Sequence, residues 1–218
     1  MTKRPLYRRP NRPDSDQLRA DPQFKQILEL DFTEMIPFVL THIKRRSFIS
    51  LFYAITNIAL LLFIVILVIH GLLSDQYTWS MVIKQSLPGI FAGSFLIIPI
   101  HELFHGIAYR VLGARKIQFG ADMQQLLFYV TADRYPVSGT ELYFLAMLPF
   151  AAINLIAILI FILWLPQFIL FGSFMLLCHN IMCIGDYAIV NYVSQHKGKV
   201  YSYDIVKEGK SYFFEKTV

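Results

Sequence analysis

The chain has 218 residues, of which 56% are apolar and only 16% carry a formal charge, and its mean hydropathy is +0.49. These values exclude an ordinary soluble domain, and they exclude the disordered, collagen-like and disulfide-rich classes. Uncharged runs lie between Arg46 and Asp75 and between Glu141 and Asp186, the second with 44 residues. At 1.5 Å per residue, that run would form a helix about 66 Å long, twice the hydrocarbon thickness of a bilayer. It therefore predicts two membrane spans joined by a short turn.

The first 46 residues form a basic N-terminal region. Residues 1–20 are rich in Pro, Arg and Asp, which predicts a disordered tail. In residues 21–46 the apolar side chains recur at near-helical spacing, which predicts an amphipathic segment on the membrane surface. These apolar positions are Phe24, Ile27, Leu28, Met35, Val39 and Ile43. No basic face with interleaved aromatic residues accompanies the tail, so a nucleic-acid partner is not expected.

Four apolar segments predict membrane-spanning helices at about residues 47–73, 88–109, 141–165 and 168–194. Ser138 and Glu141 predict a capping box at the start of the third helix. The expected fold class is an all-α integral membrane protein, with a four-helix membrane domain in residues 47–195 and small β-hairpins on the cytoplasmic side. Its two cysteines lie within the fourth segment and are expected to act as small hydrophobic residues.

The positions of the basic residues predict the orientation of these helices. Nineteen of the twenty Lys and Arg residues lie before the first span, between the second and third, or after the fourth. Only Lys84 lies on the other side of the membrane. Because short loops rich in Lys and Arg stay in the cytoplasm, both termini and the central loop are predicted to be cytoplasmic. The net charge of +5 is therefore interpreted mainly as a signal of membrane orientation.

Two cytoplasmic segments have the pattern of β-structure. Residues 117–135 alternate loosely and predict a strand or hairpin, and the tail at 196–218 predicts a second hairpin around Glu208 and Gly209. An edge strand in the central loop would hold a substrate in extended form, because a peptide bond inside a helix is shielded from attack.

The second span contains the sequence His101-Glu102-Leu103-Phe104-His105, an HExxH motif. The spacing of four places both imidazoles on one helix face, where they can bind one zinc ion, with Glu102 beside the attacking water as general base. The motif alone is a weak signal. A carboxylate within a membrane helix costs about 2.5–3.5 kcal/mol, so its presence there indicates a functional site. The alternative is a structural Glu102 that is hydrogen-bonded inside the bundle.

Catalytic zinc needs a third protein ligand, and Asp186 is the formal charge that the fourth span offers. His101 lies nine residues from Arg110, and Asp186 lies eleven residues from Lys197. Both are therefore about 13–16 Å from the inner membrane surface. The matching depths predict Asp186 as the third ligand.

Further predictions concern the other polar residues and the prolines within the spans. His179, seven residues before Asp186 on nearly the same helix face, is expected to support the site rather than to bind the metal. Asn154 is expected to bridge two helices or, alternatively, to hydrogen-bond an extended substrate. Pro99 and Pro149 each remove a helical hydrogen bond and are expected to open room near the metal.

Four segments together resemble a bacterial multi-pass family of zincin-type metallopeptidases, over residues 91–216. They are HELFHG at 101–106, KIQFG at 116–120, AMLPF at 146–150 and GD at 185–186. More distantly, the chain is similar to the site-2 proteases, which place HExxH on one membrane helix and an Asp ligand on a later one. The resemblance implies that His101, His105 and Asp186 are zinc ligands and that Glu102 is the base. This chain departs from the site-2 protease pattern because Gly185 precedes Asp186.

The sequence therefore predicts a membrane-embedded zinc metalloendopeptidase of the bacterial cell membrane, with a membrane protein or a peptide as substrate. It would use metal-activated water to cleave peptide bonds in or near the bilayer. The alternative is a non-catalytic membrane protein that binds or transports a divalent metal or protons, because buried ionisable residues also mark transport paths.

Overall fold

The computed structural model describes residues 12–122 and 127–217. The helices are α1 (Ser15–Ala20), α2 (Met35–Ile43), α3 (Phe48–Leu73), α4 (Trp79–Phe91), α5 (Ile98–Val111), α6 (Gly139–Leu159), α7 (Ile169–Met182) and α8 (Ile184–Ser194). The strands are β1 (Phe24–Asp31), β2 (Gln118–Asp122), β3 (Leu127–Thr131), β4 (Val137–Ser138), β5 (Lys199–Ile205) and β6 (Lys210–Lys216). The fold is thus mostly helical rather than all-α. The first eleven residues of the predicted disordered tail lie outside the described residues.

Two helices are long and apolar enough to cross a membrane: α3, and the helix Gly139–Trp164 that continues α6. The other two predicted spans are bent pairs of helices. One pair covers residues 79–111 and is bent by 40°, and the other covers 166–194 and is bent by 42°. By length and composition, the described part of the chain therefore has two candidate spans, or up to four if each bent pair counts as one. The capping box at the start of α6 is present as predicted, with Glu141 accepting from the backbone N–H of Ser138.

The bends place two residues of the candidate site at the starts of half-helices. A π-helical turn at Ala92–Leu96 precedes α5, and His101 lies in the first turn of that helix. The prediction of one continuous fourth helix is wrong, because α7 ends at Met182 and α8 begins after Cys183. Asp186 thus lies in the first turn of α8, where the helix dipole favours a negative charge.

The second span is predicted to start at about residue 88, but helix α4 begins earlier, at Trp79. Helix α4 and the π-helical turn after it pack on α7 through glycines four positions apart. A Cβ at Gly89 would lie 2.6 Å from the carbonyl oxygen of Phe171, and one at Gly93 would lie 2.3 Å from that of Met175. The polar side chain of Gln85 extends this contact by donating to the Gln167 carbonyl at 2.9 Å and accepting from the backbone of Phe171 at 3.3 Å. The polar Gln85 side chain thus has hydrogen-bond partners on the segment around the start of α7, within a part of α4 that is less apolar than the predicted span.

A four-stranded antiparallel sheet of order β1-β6-β5-β4 lies outside the apolar helices. Its centre is the predicted C-terminal hairpin, which turns at Gly209 with a φ of +64°. The helical prediction for residues 24–31 is wrong, because this segment forms β1 and pairs with β6. The short apolar pattern fits either period, and pairing with β6 satisfies the backbone of the strand. The later part of the same segment does form a helix, α2, and residues 15–20 form α1 where disorder was predicted.

The two faces of this sheet have different partners because side chains alternate along each strand. One face packs against Leu18 of α1, through the cluster Tyr203, Ile205, Tyr212 and Phe214. The opposite face carries Val200, Ser202, Asp204, Ser211 and Phe213. This second face closes one side of the cavity that holds the candidate site.

The hairpin predicted in the central loop is also present. Strands β2 and β3 pair antiparallel, with Phe119 opposite Val130, and residues 123–126 between them lie outside the described part of the chain. Both strands lie close to α5, since a Cβ at Gly106 would be 3.4 Å from the Phe119 ring and 3.8 Å from the Val130 side chain. The hairpin therefore sits against the helix that carries the HExxH motif.

Candidate metal centre

Three side chains from α5 and α8 converge on one point. The Nε2 atoms of His101 and His105 are 3.0 Å apart. The carboxylate of Asp186 lies 3.3 Å from His101 Nε2 through one oxygen and 3.4 Å from His105 Nε2 through the other. The side chains that the sequence placed at matching depths are thus in contact.

A backbone carbonyl fixes the orientation of one imidazole. His105 Nδ1 donates to the carbonyl oxygen of Leu145 on α6, at 3.0 Å. This hydrogen bond keeps the proton on Nδ1 and leaves the lone pair of Nε2 facing the other two side chains. The carbonyl is available because the residue four positions on is Pro149, which has no N–H to donate along the helix. Pro149 therefore frees the acceptor that orients His105.

Replacing Pro149 with Ala is expected to weaken zinc binding about 10-fold, because the new N–H would compete for the Leu145 carbonyl. The measurement is the zinc dissociation constant of the purified protein, by competition with a chelator. Pro37→Ala, on the exposed side of α2, is the matched control and should bind zinc like the wild type. Equal zinc affinity in both variants would contradict this role of Pro149.

The other imidazole is oriented by a chain of polar side chains. His101 Nδ1 lies 3.2 Å from Nε2 of His179, which is fully buried. His179 Nδ1 lies 3.3 Å from Oδ1 of Asn180, whose amide exchanges two hydrogen bonds with Asn154, at 2.7 and 3.1 Å. The chain runs from α5 through α7 to α6. The bonds with Asn180 link α6 to α7, and the Asn154 amide also donates to the Phe150 carbonyl within α6.

A second group of possible metal ligands lies on the other side of the His101 ring. It consists of His101 Nδ1, His179 Nε2 and Cys183 Sγ. The sulfur lies 3.6 Å from His179 Nε2 and 3.9 Å from His101 Nδ1. The two groups share His101 through different nitrogens. Hydrogen bonding accounts for the Nδ1 side without a metal: one imidazole donates to the next, and the thiol lies at the long distance that is normal for sulfur.

The convergent atoms on the Nε2 side fit a zinc ion. His105 Nε2 is an acceptor because its Nδ1 is the donor, so it faces the carboxylate of Asp186 with no proton of its own to share. The two Nε2 atoms and the two Asp186 oxygens lie 3.0–3.4 Å apart, a spacing at which their lone pairs repel unless a proton or a metal cation lies between them. Ligand atoms about 2.0–2.1 Å from a tetrahedral zinc lie about 3.3–3.4 Å from one another, close to the observed spacing. Two neutral imidazoles and a carboxylate are also a donor set that zinc accepts.

Glu102 lies next to both histidines. Its carboxyl group is within 4.8 Å of an imidazole nitrogen of each, so that by distance alone it is also a possible metal ligand. It accepts a hydrogen bond from the backbone N–H of Val130 on β3, and its Oε2 atom is buried with no hydrogen-bond partner among the described residues. A carboxylate oxygen without a partner next to three convergent acceptors is placed to receive a proton.

The site opens into a cavity of about 230 Å³ between α5, α6, α8, β3 and the sheet. Its walls include His101, Glu102, His105 and Asp186 together with a polar group formed by Tyr109, Thr131, Ser202, Asp204 and Ser211. Burial raises the pKa of the Asp204 carboxyl, although hydroxyl donors from Ser211, Thr131 and Tyr109 partly offset this effect. The metal residues and this polar group thus share one space.

Several of these residues were not singled out from the sequence. Leu145 contributes only its backbone, and Pro149 four residues later was the available signal. Asn180 and Cys183 lie within an apolar run and gain a role only through their neighbours in space. Asp204 lies in the tail, where charged residues are ordinary, and nothing in its local sequence marked it.

Comparison with known proteins agrees with this geometry. The model of a family described as "Putative zincin peptidase" matches residues 94–201, just under half of the chain. The matched stretch contains α5 with its HExxH motif, the β2–β3 hairpin, α6, and Asp186 on α8. No curated protein and no solved structure gives a significant match. The family match supports a zincin-type peptidase.

Proposed function

We propose that the protein is a zinc metalloendopeptidase that cleaves peptide bonds within or beside a membrane. The observation that carries the proposal is the convergence of His101, His105 and Asp186, with Glu102 next to them, at the start of two half-helices. The zincin match covers this whole constellation. The proposed ligands are His101 Nε2, His105 Nε2 and the Asp186 carboxylate.

Zinc, when bound, supplies a Lewis acid that polarises the scissile carbonyl and acidifies the attacking water. The protein supplies the rest. The hydrogen bonds from His105 to Leu145 and from His101 to His179 hold both imidazoles in the tautomer that leaves Nε2 free. Asp186 contributes the negative charge that offsets part of the charge of the cation.

Glu102 moves the proton. Its unpartnered Oε2 takes the proton of the attacking water, and the same oxygen then returns it to the leaving amine. The Val130 N–H holds the other end of the carboxyl group, so that Glu102 keeps its orientation in both steps. A peptidase needs such a base, whereas a protein that only binds a metal ion does not.

The edge of β3 that faces away from β2 pairs with no other strand among the described residues, and it supports an extended mode of substrate binding. Because the Val130 N–H points to Glu102, it lies outside the ladder with β2. Outward-facing and ladder-bonded residues alternate in an antiparallel pair, so the backbone of Phe128 also points outward. Phe128 and Val130 both line the cavity. A substrate strand added at this edge would run past the metal centre with its peptide bonds exposed.

Comparing Phe128→Pro with Phe128→Ala isolates the backbone group, since both variants lose the ring and only proline loses the N–H. We expect Phe128→Pro to cleave about 10-fold less efficiently than Phe128→Ala, with equal zinc content, through the loss of one substrate hydrogen bond. The assay incubates the purified, zinc-loaded protein with a proteome-derived peptide library and detects new peptide termini by mass spectrometry. Equal cleavage by the two variants would remove β3 from the proposal.

The membrane part of the proposal rests on the apolar helices of spanning length and on the distribution of basic residues. With both termini and the sheet in the cytoplasm, the metal centre would lie below the cytoplasmic surface of the bilayer. This placement is similar to that in site-2 proteases. The same peptide-library assay tests the activity itself, which should require zinc and should be lost in Glu102→Gln.

The alternative is a membrane protein that binds or moves a metal ion or protons through the same cluster. One observation favours it: His101 offers a second possible metal group on its Nδ1 side, with His179 and Cys183. It leaves the Glu102 base and the edge strand without a role. Peptide cleavage that depends on Glu102 would exclude it.

A further inference from the structure

A buried carboxylate with three hydroxyl donors shares the cavity of the metal centre. Asp204 on β5 accepts from Ser211 Oγ at 2.6 Å and from the hydroxyl of Thr131. Tyr109 of α5 hydrogen-bonds to the same carboxyl group. A carboxylate has about four acceptor sites, so three hydroxyl groups leave capacity for one more donor.

No Lys or Arg is found among the described residues that line this cavity. The acidic residues that line it are Glu102, Asp186 and Asp204, and Asp133 adds a further negative charge near Asp204. A zinc ion would offset the charge at the metal centre only. Burial raises the pKa of Asp204, since its hydroxyl partners replace water but bring no positive charge. A cation at this point would meet a carboxylate that has no counter-ion from the lining residues.

The distance along α5 suits a substrate subsite. Tyr109 lies four residues after His105 on the same helix, so it is about 6 Å further toward the predicted cytoplasmic side. Thr131, the other donor to Asp204, follows directly after Val130 on the free edge strand. A substrate that runs along β3 past the metal would therefore pass Asp204 within one or two residues.

We propose that Asp204, with Tyr109, Thr131 and Ser211, forms a subsite that binds a lysine or arginine side chain of the substrate close to the scissile bond. The inference rests on the proposed peptidase function and adds the class of substrate. It agrees with the predicted topology, because the cytoplasmic flanks of membrane helices are rich in Lys and Arg. A protein cleaved near the cytoplasmic end of its span would present such a residue here.

The first test uses the wild-type protein and the peptide library. Cleaved peptides should be enriched in Lys or Arg at one fixed position near the new terminus. A matched pair of synthetic peptides, with Lys or Gln at that position, should then differ in kcat/KM by about 10- to 100-fold. Cleavage without enrichment of Lys or Arg overturns this inference and leaves the peptidase function intact. If the zinc-loaded protein releases no new termini, both proposals are overturned.

The second test changes the carboxyl group. Asp204→Asn should lose most of the preference for Lys over Gln, measured on the zinc-loaded variant as the ratio of kcat/KM for the two peptides. Ser211→Ala removes one hydroxyl but keeps the charge, so it should keep the preference. Asp75→Asn, in an exposed loop, is the control for a change of charge alone. A preserved preference in Asp204→Asn, or an equal loss of cleavage for both peptides, overturns the inference. Should Asp204→Asn fail to fold, a third peptide with Glu at the same position replaces it: the wild type should cleave the Glu peptide more slowly than the Gln peptide, and cleavage as fast as that of the Lys peptide overturns the inference.

Discussion

Replacing Glu102 with Gln is expected to lower kcat for peptide cleavage about 10²–10⁴-fold while one zinc ion per chain remains bound. The amide has nearly the same shape as the carboxylate but cannot take the proton of the attacking water. The three convergent ligand atoms come from other residues, so the metal should stay. New termini from the peptide library measure the loss of turnover, and elemental analysis of the purified protein measures the zinc.

Glu34→Gln, a change of the same kind at an exposed position, should match the wild type in both measurements. The two ways in which Glu102→Gln can fail have different meanings. If it cleaves peptides as fast as the wild type, Glu102 is not the base. If it loses zinc together with activity, Glu102 belongs to the ligand set, since its carboxyl group also lies within 4.8 Å of both imidazoles.

Replacing Asp186 with Asn is expected to weaken zinc binding by about 100-fold or more and to abolish cleavage with it. The change removes the negative charge that faces both Nε2 atoms at 3.3 and 3.4 Å. Changes to residues that only orient a ligand cost about 10- to 100-fold, and loss of a ligand itself should reach the top of that range or exceed it. Competition with a chelator of known affinity gives the dissociation constant.

Asp75→Asn is again the matched control, because its side chain is exposed in the loop after α3. Excess zinc should restore part of the activity of Asp186→Asn, since the two imidazoles remain in place. Unchanged zinc affinity in this variant would place the metal elsewhere, with the group of His101, His179 and Cys183 as the first candidate.

The sequence predicted the parts of the site that depend on local spacing. His101 and His105 share a helix face because they are four residues apart, and Asp186 was placed at the same depth by counting from basic residues near the membrane surface. Their matching depth follows from helix geometry and from a bilayer of fixed thickness. Their contact also needs the tertiary packing that brings α5 and α8 together.

The bends in the second and fourth spans could not be read from hydropathy, since an average over a window of residues does not register a break of one residue such as Cys183. Strand β1 was read as helical because its few apolar residues fit either period. It becomes a strand through pairing with β6, nearly two hundred residues later in the chain. For a short segment of this kind, contacts with residues distant in the chain determine whether it forms a helix or a strand.

The supporting groups of the site were missed for a related reason. The Leu145 carbonyl has no signature of its own in the sequence, and a proline such as Pro149 indicates free space in a bundle as readily as it indicates a free acceptor. Asp204 gained significance only when the sheet brought it into the cavity of the metal residues. The Leu145 carbonyl can be identified from the sequence by the rule that a proline in a helix leaves the carbonyl four residues earlier without its usual donor.

X-ray absorption at the zinc edge, on the purified wild-type protein, tests the metal centre most directly. Binding by His101, His105 and Asp186 predicts one zinc per chain with a first shell of nitrogen and oxygen only, at about 2.0–2.1 Å. A sulfur ligand at about 2.3 Å would instead place the metal on the Nδ1 side of His101, with Cys183. That result, or a chain that binds no zinc, would contradict the proposed centre.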